Sequence, residues 1–113
     1  MRRLDAFGGM RSMWLIAMYD LPVDTQEAKR CYRQFRDALL DDGFIMLQYS
    51  VYARPCPTIE NVKVHEQRVK EAVPPLGEVR VFSLTEMQFS RMLIFHGSQP
   101  LDPEDPPPQL TLF

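Results

Sequence analysis

Residues 24–43, DTQEAKRCYRQFRDALLDDG, form the clearest helix in the chain and constrain everything around it. Ala28, Cys31, Tyr32, Phe35, Ala38 and Leu39 fall on one side of a helical turn, the apolar stripe that turns a helix toward a core. Asp24 is a good N-cap, and Glu27 follows at capping-box spacing. Gly43 stands where a left-handed residue ends a helix. An apolar run, MWLIAMY at 13–19, precedes this helix, and a β-rich run, FIMLQYSVYAR at 44–54, follows it. A one-striped helix between two strand-like runs has to lie on a sheet.

The first run is continuously apolar, as in a strand buried on both faces, and Pro22 favours a break soon after it. The run at 44–54 alternates only in its second half. It reads either as two short strands or as one bulged strand. TIENVKVHEQRVKEAV, residues 58–73, is a second and weaker amphipathic helix, stopped by Pro74 and Pro75. GEVRVFSL alternates as a strand, TEMQFSR reads as a turn or one helical turn, and RMLIFHG reads as a last strand. The order predicts an α+β, ferredoxin-like βαββαβ sandwich with an additional C-terminal strand. The domain should span 13–97, after a flexible extension at 1–12 or an upstream start before Met10 or Met13. From Gly97 the chain turns proline-rich. Residues 98–108 read as an extended linker, and 109–113, QLTLF, as an apolar docking peptide.

Composition narrows the class. With 113 residues, 45% of them hydrophobic, the chain suits one small core that a partner subunit would help to complete. No run of about 18 apolar residues suggests a membrane span, and residues 1–10 lack the apolar core of a signal peptide. The expected location is therefore cytoplasmic. Cys31 and Cys56 have no disulfide or metal-binding spacing. The formal charge of −2 argues against indiscriminate nucleic-acid binding. However, all 13 Lys and Arg precede residue 92, and Asp102, Glu104 and Asp105 load the tail with acid.

The candidate chemistry begins at Asp20, where the first apolar run ends. A loop acid and a metal ligand look alike at such a position. One carboxylate makes a poor site alone, yet Mg²⁺ keeps several waters and needs only one or two carboxylates beside phosphate oxygens. A two-fold dimer would set Asp20 against its own symmetry mate. Two bare carboxylates at about 4 Å repel by roughly 4 kcal/mol at an effective dielectric near 20, and a cation reverses that sign. Lys29, Arg33 and Arg36 line the polar side of the first helix with Arg30 beside them. Such a stripe is either a solvated face or a phosphate-binding ridge. His65 and His96 stand alone and carry no assigned chemistry. Tyr19, Tyr49, Tyr52 and Phe89 read as core or interface aromatics, and no glycine-rich phosphate loop occurs.

Taken together, MYDLP, RCYRQFRDALLDDGFIMLQYSVYAR and GEVRVFSLTEMQFSRMLIF resemble the CRISPR-associated protein Two family, in the version found beside single-effector systems. The resemblance covers about 13–97. It implies ferredoxin-like homodimers that bridge the CRISPR-associated integrase and carry double-stranded DNA across the bridge. It also implies metal-dependent endonuclease activity on RNA or double-stranded DNA in many members. In that pattern Asp20 is the catalytic, metal-holding residue, with one Mg²⁺ per dimer shared by Asp20 of both chains. Tyr19 precedes it, Ser50 matches the serine of the family's SV pair, and Arg54 follows in the same segment. Many members carry an arginine early in the first helix. Here that region reads TQEAKR, with Lys29 and Arg30 the nearest cations, so catalytic roles for basic residues do not carry over. The tail resembles the peptide by which bacterial proteins bind the replication sliding clamp, with Gln109, Leu110, Leu112 and Phe113 in matching places. Strand addition to the integrase is the preferred reading of the same tail.

Three functions follow. The first is a homodimeric adaptor of spacer acquisition that holds DNA backbone through Lys29, Arg30, Arg33 and Arg36. The second is a Mg²⁺-dependent endoribonuclease or endodeoxyribonuclease acting on its own. The third is a ferredoxin-fold regulatory protein.

Overall fold

The computed structural model describes residues 12–100. The extension up to residue 11, most of the proline-rich linker and the peptide at Gln109, Leu110, Leu112 and Phe113 lie outside the described residues. Strand β1 (Met13–Asp20) leads to helix α1 (Gln26–Asp41), strands β2 (Ile45–Gln48) and β3 (Val51–Cys56), helix α2 (Ile59–Ala72) and strand β4 (Glu78–Thr85). The four strands form one sheet in the order β2-β3-β1-β4, antiparallel at every pairing. This is the expected βαββαβ arrangement, consistent with a ferredoxin-like fold, with β1 central.

Alternation along β1 sorts its side chains. Leu15, Ala17 and Tyr19 face the helices and join Phe35 and Leu39 of α1, Val62 and Val69 of α2, and Phe44, Tyr52 and Cys56 in one core. Trp14, Ile16, Met18 and Asp20 take the other face. The expectation of burial on both faces therefore holds at the middle of the strand, where Leu15, Ile16 and Ala17 are buried, and fails at Met18, which is exposed; Asp20, just past the apolar run, is exposed as well.

Helix α1 starts one residue later than the capping box suggests. Thr25, not Asp24, is the N-cap, and its hydroxyl accepts the Ala28 N–H at 3.0 Å. Glu27 then pairs with Arg30 on the helix surface instead of closing a box. The far end matches expectation. Gly43 has φ +94°, its N–H donates to the Leu40 carbonyl at 3.1 Å, and the Phe44 N–H donates to the Leu39 carbonyl at 3.0 Å. Phe44 and Leu39 are both buried in the core, the apolar contact that completes this helix stop. Thr58 caps α2 by accepting the Asn61 N–H at 3.0 Å. Pro74 holds Val73 extended (φ −62°, ψ 128°) and ends the helix.

Residues 44–54 hold both alternatives at once. β2 and β3 form a hairpin around Tyr49 and Ser50, and Leu47 is an extra residue between Met46, opposite Tyr52, and Gln48, opposite Val51. After β4, a short helix α3 (Glu86–Ser90) opens with a reciprocal Thr85–Gln88 capping box. It packs on the start of β1. The Trp14 indole stacks on Phe89 at 4.1 Å between centroids and donates to Glu86 Oε1 at 2.7 Å.

The C-terminal strand departs from expectation. Residues 91–94 are not in a strand, and Met92, Leu93 and Ile94 are exposed. Only β5 (Phe95–His96) is extended, and it pairs with β6 (Gln99–Pro100) across a turn at Gly97. Thus β6 falls inside the segment read as linker. Residues 91–94 pair with no strand among the described residues, and apolar character alone does not make them one.

Candidate functional site

Asp20 is the last residue of β1 and is exposed on the face of the sheet opposite α1 and α2. Antiparallel pairing sets it directly across from Glu78, the first residue of β4, and sets Met18 across from Arg80. Like charges directly opposite each other destabilise a sheet. Arg80 offsets part of that cost, for its Nε and Nη2 each lie 3.3 Å from a different Glu78 carboxylate oxygen. Met18, Tyr19, Asp20, Glu78 and Arg80 line a shallow cavity of about 180 Å³.

Gly77 holds this corner together. Its φ is +100°, and a Cβ there would come within 2.5 Å of Leu21 Cδ2 and 2.9 Å of the Asp20 carbonyl oxygen. The turn entering β4 therefore rests on the backbone of Asp20 itself. Sequence reasoning does not single out Gly77, Glu78 or Arg80. Their only local signal is a glycine before an alternating strand, and their meeting with Asp20 depends on register between distant segments.

Tyr19 points the other way, into the core. Its ring meets Phe35 edge-on at 5.0 Å, Tyr32 edge-on at 5.8 Å, and Tyr52 in a stacked arrangement at 6.0 Å. Burial, then the neighbouring Tyr52 and Tyr32, push its phenol far above the ordinary value. It stays neutral and anchors the strand. Ser50 lies beside the site through its backbone, since its carbonyl accepts the Tyr19 N–H at 3.1 Å, and its φ of 66° fixes the hairpin turn there.

Arg54 is elsewhere. It pairs in register with Leu15, and its guanidinium donates to the Asp42 carbonyl at 2.6 Å and the Pro55 carbonyl at 2.8 Å. It caps the C-terminus of α1 and does not reach Asp20. Of the basic stripe, Lys29 and Arg33 are exposed and have no ion-pair partner among the described residues. Arg30 is paired with Glu27, and Arg36 is half-buried, 3.3 Å from Asp37.

His65, which stands alone in the sequence, is 3% exposed. Its Nδ1 lies 2.6 Å from Asp42 Oδ2, and Arg68 Nη1 lies 2.7 Å from Oδ1. This network ties the end of α1 to α2, at the opposite end of the sheet from Asp20. Burial alone would raise the Asp42 carboxyl, but hydrogen bonds from His65 and Arg68 outweigh it and hold the pKa below the usual range. A depressed carboxylate stabilises the fold above its unfolded pKa, and that stability is lost as pH falls through the folded pKa. Asp42→Asn should therefore cost on the order of 2 kcal/mol at pH 7. The gap to the parent should close as pH drops below about 4. Chemical unfolding at a series of pH values reads both; a gap independent of pH refutes the assignment.

No group of three or more His, Cys, Asp or Glu among the described residues is arranged to hold a metal ion. One chain thus offers Asp20 and its neighbour Glu78, a set of hard oxygen donors that suits Mg²⁺ only when waters, phosphate oxygens or a second copy complete it. No helix among the described residues is long and apolar enough to cross a membrane.

Comparison with known proteins places this geometry. The family described as CRISPR associated protein Cas2 matches residues 13–92. A protein of Parvibaculum lavamentivorans is 48% identical over 101 residues, covering 89% of this chain and 100% of its own length. One from Flavobacterium psychrophilum is 40% identical, covering 91% and 90%. One from Streptococcus mutans serotype c strain UA159 is 39% identical, covering 77% and 80%. All three carry the name CRISPR-associated endoribonuclease Cas2. The matched residues run from the first residue of β1 to beyond α3 and take in the whole Asp20 corner, and the chain belongs to the CRISPR-associated Cas2 family.

Proposed function

We propose that this protein is a Mg²⁺-dependent endoribonuclease that works as a homodimer, with Asp20 as its catalytic residue. The observation that carries the reading is the position of Asp20: exposed, at the end of the central strand, at the margin of an apolar sheet face with no α1 or α2 over it. That face presents Met18, Phe82 and Ile45 at 37%, 40% and 51% exposure around buried Ile16 and Ala53. A second copy is the natural cover, and a two-fold axis near β1 brings the two Asp20 side chains toward each other. The relatives' names favour the ribonuclease over the adaptor that the sequence put first.

The paired Asp20 carboxylates would hold the cation. Mg²⁺, when bound, supplies an acidified water and charge neutralisation at the phosphoryl group. The chain's own part is positioning. Gly77 and the Ser50 turn hold the Asp20 backbone in place. Glu78 keeps the Arg80 guanidinium beside the carboxylates. Lys29 and Arg33 attract the substrate backbone. The test is cleavage of a labelled RNA by the purified full-length chain. EDTA should abolish it and added Mg²⁺ restore it; cleavage indifferent to chelation would sink the metal reading.

The adaptor role on double-stranded DNA has one observation in its favour: exposed Lys29 and Arg33 and half-buried Arg36 follow one another along α1. The double variant Arg33→Glu, Arg36→Glu should weaken duplex binding and reduce the salt slope by about one for each phosphate no longer neutralised. Filter binding at several salt concentrations measures it, and an unchanged slope rejects the ridge.

A further inference from the structure

Tyr49 is the aromatic that the core does not explain. Its sequence context suggests the interior or an interface, yet it sits at the tip of the β2–β3 hairpin with 61% of its surface exposed. Its ring is nonetheless held. It stacks on Tyr32 of α1 at 6.2 Å and 27°, and Tyr32 in turn meets buried Tyr19 edge-on. The turn beneath it is locked by the left-handed Ser50 and by the Tyr19 N–H to Ser50 carbonyl bond. Here a large apolar ring is presented to water on a rigid support. One helical turn beyond Tyr32 stands Arg36, whose Nε is buried with no hydrogen-bond partner among the described residues. Its single ion pair, to Asp37, is long at 3.3 Å. Arg33 lies exposed between them.

A fixed aromatic face beside under-used guanidinium groups is the chemistry that recognises an unstacked nucleobase and its phosphate. A duplex keeps its base faces to itself, so only a single strand can use the ring. We infer that Tyr49 is a stacking platform for one base of single-stranded RNA, with Arg36 and Arg33 taking the adjoining phosphates. The choice of RNA rests on the ribonuclease reading. The platform and Asp20 share one end of the sheet, because the Ser50 carbonyl bonds the residue immediately before Asp20. A strand stacked on Tyr49 is therefore led over the sheet end toward the carboxylate.

The test is equilibrium binding by fluorescence anisotropy in EDTA, using the full-length chain, a labelled single-stranded oligoadenylate and a labelled RNA duplex. Tyr49→Ala should weaken single-strand binding by about five- to a hundredfold and change duplex binding less than twofold. Tyr49→Phe should keep the affinity, since stacking needs the ring and not the hydroxyl. Tyr49→Leu preserves apolar contact with Tyr32 and should still lose it, which guards against a fold defect in the alanine variant. The inference is overturned if the alanine and leucine variants bind the single strand as the parent does. Preference of the parent for duplex, or dimer loss on removing the ring, overturns it too. Because EDTA blocks cleavage, the two readings separate. Tyr49-dependent binding without any Mg²⁺-dependent cutting sinks the ribonuclease alone, and cutting that ignores Tyr49 sinks the platform alone.

Discussion

Asp20→Asn is expected to lower RNA cleavage by roughly a thousandfold or more and to leave each subunit folded. The side chain is exposed at the end of β1 and makes no core contact, so an isosteric amide changes neither packing nor strand pairing. What it removes is the negative charge that would hold the cation. Loss of about 4 kcal/mol of transition-state stabilisation corresponds to a factor near 10³. The same substitution makes a second, opposite prediction. If Asp20 pairs with its copy as proposed, the two carboxylates repel in EDTA, so the Asn variant should form the tighter dimer; in Mg²⁺ the parent should. Sedimentation of both proteins with and without the metal reads the crossing. A variant that cuts like the parent, or a dimer insensitive to metal in both forms, would falsify the paired-carboxylate site.

Gly77→Ala is the second large effect, and it tests the corner without touching a charge. The backbone there has φ +100°, which costs an L-residue about 1–2 kcal/mol. The new methyl would also press on Leu21 Cδ2 and, at 2.9 Å, on the Asp20 carbonyl oxygen. The Leu21 side chain can turn aside, but the carbonyl belongs to the strand and has to move with Asp20. Together these should cost about 2–4 kcal/mol. At roughly 4–8 °C per kcal/mol for a domain of this size, the midpoint should fall by more than 8 °C. Below that new midpoint the folded variant should still lose most of its cleavage, because Asp20 is displaced. A destabilised variant with parental activity when folded would mean that Gly77 serves the turn and not the site.

Much of this architecture is legible one segment at a time, where the local pattern and the tertiary demand agree. The stripe from Ala28 to Leu39 reads as a helix because Phe35 and Leu39 are what the sheet needs. Gly43 reads as a stop because Phe44 returns to the core behind it. Pro74 reads as a stop because proline forbids helix before itself. Where two residues could do the same job, sequence chooses poorly. Asp24 and Thr25 are both good caps, and only the turn geometry selects Thr25. The hairpin at Tyr49 and Ser50 is ambiguous in sequence because its left-handed residue is not a glycine.

The site divides the same way. Asp20 is visible as an acid closing an apolar strand, and the family resemblance adds an expectation of a role there. Glu78, Arg80 and Gly77 become neighbours only through the β1–β4 register, which no local pattern encodes. Arg54 illustrates the converse. Its nearness in sequence to Ser50 suggests a shared site, but β3 carries it up the sheet to cap α1 instead. His65 escapes sequence reasoning because an isolated histidine has no signature; its partner Asp42 comes from the far end of a different helix.

The docking of α3 leaves the molecule with a built-in optical probe. The chain has one tryptophan, and its indole lies stacked against Phe89 with its N–H on Glu86, far from the carboxylate end of the sheet. Its emission therefore monitors the junction of α3 with β1. Peeling of that short helix would register as a spectral change while far-ultraviolet dichroism still reported an intact sheet.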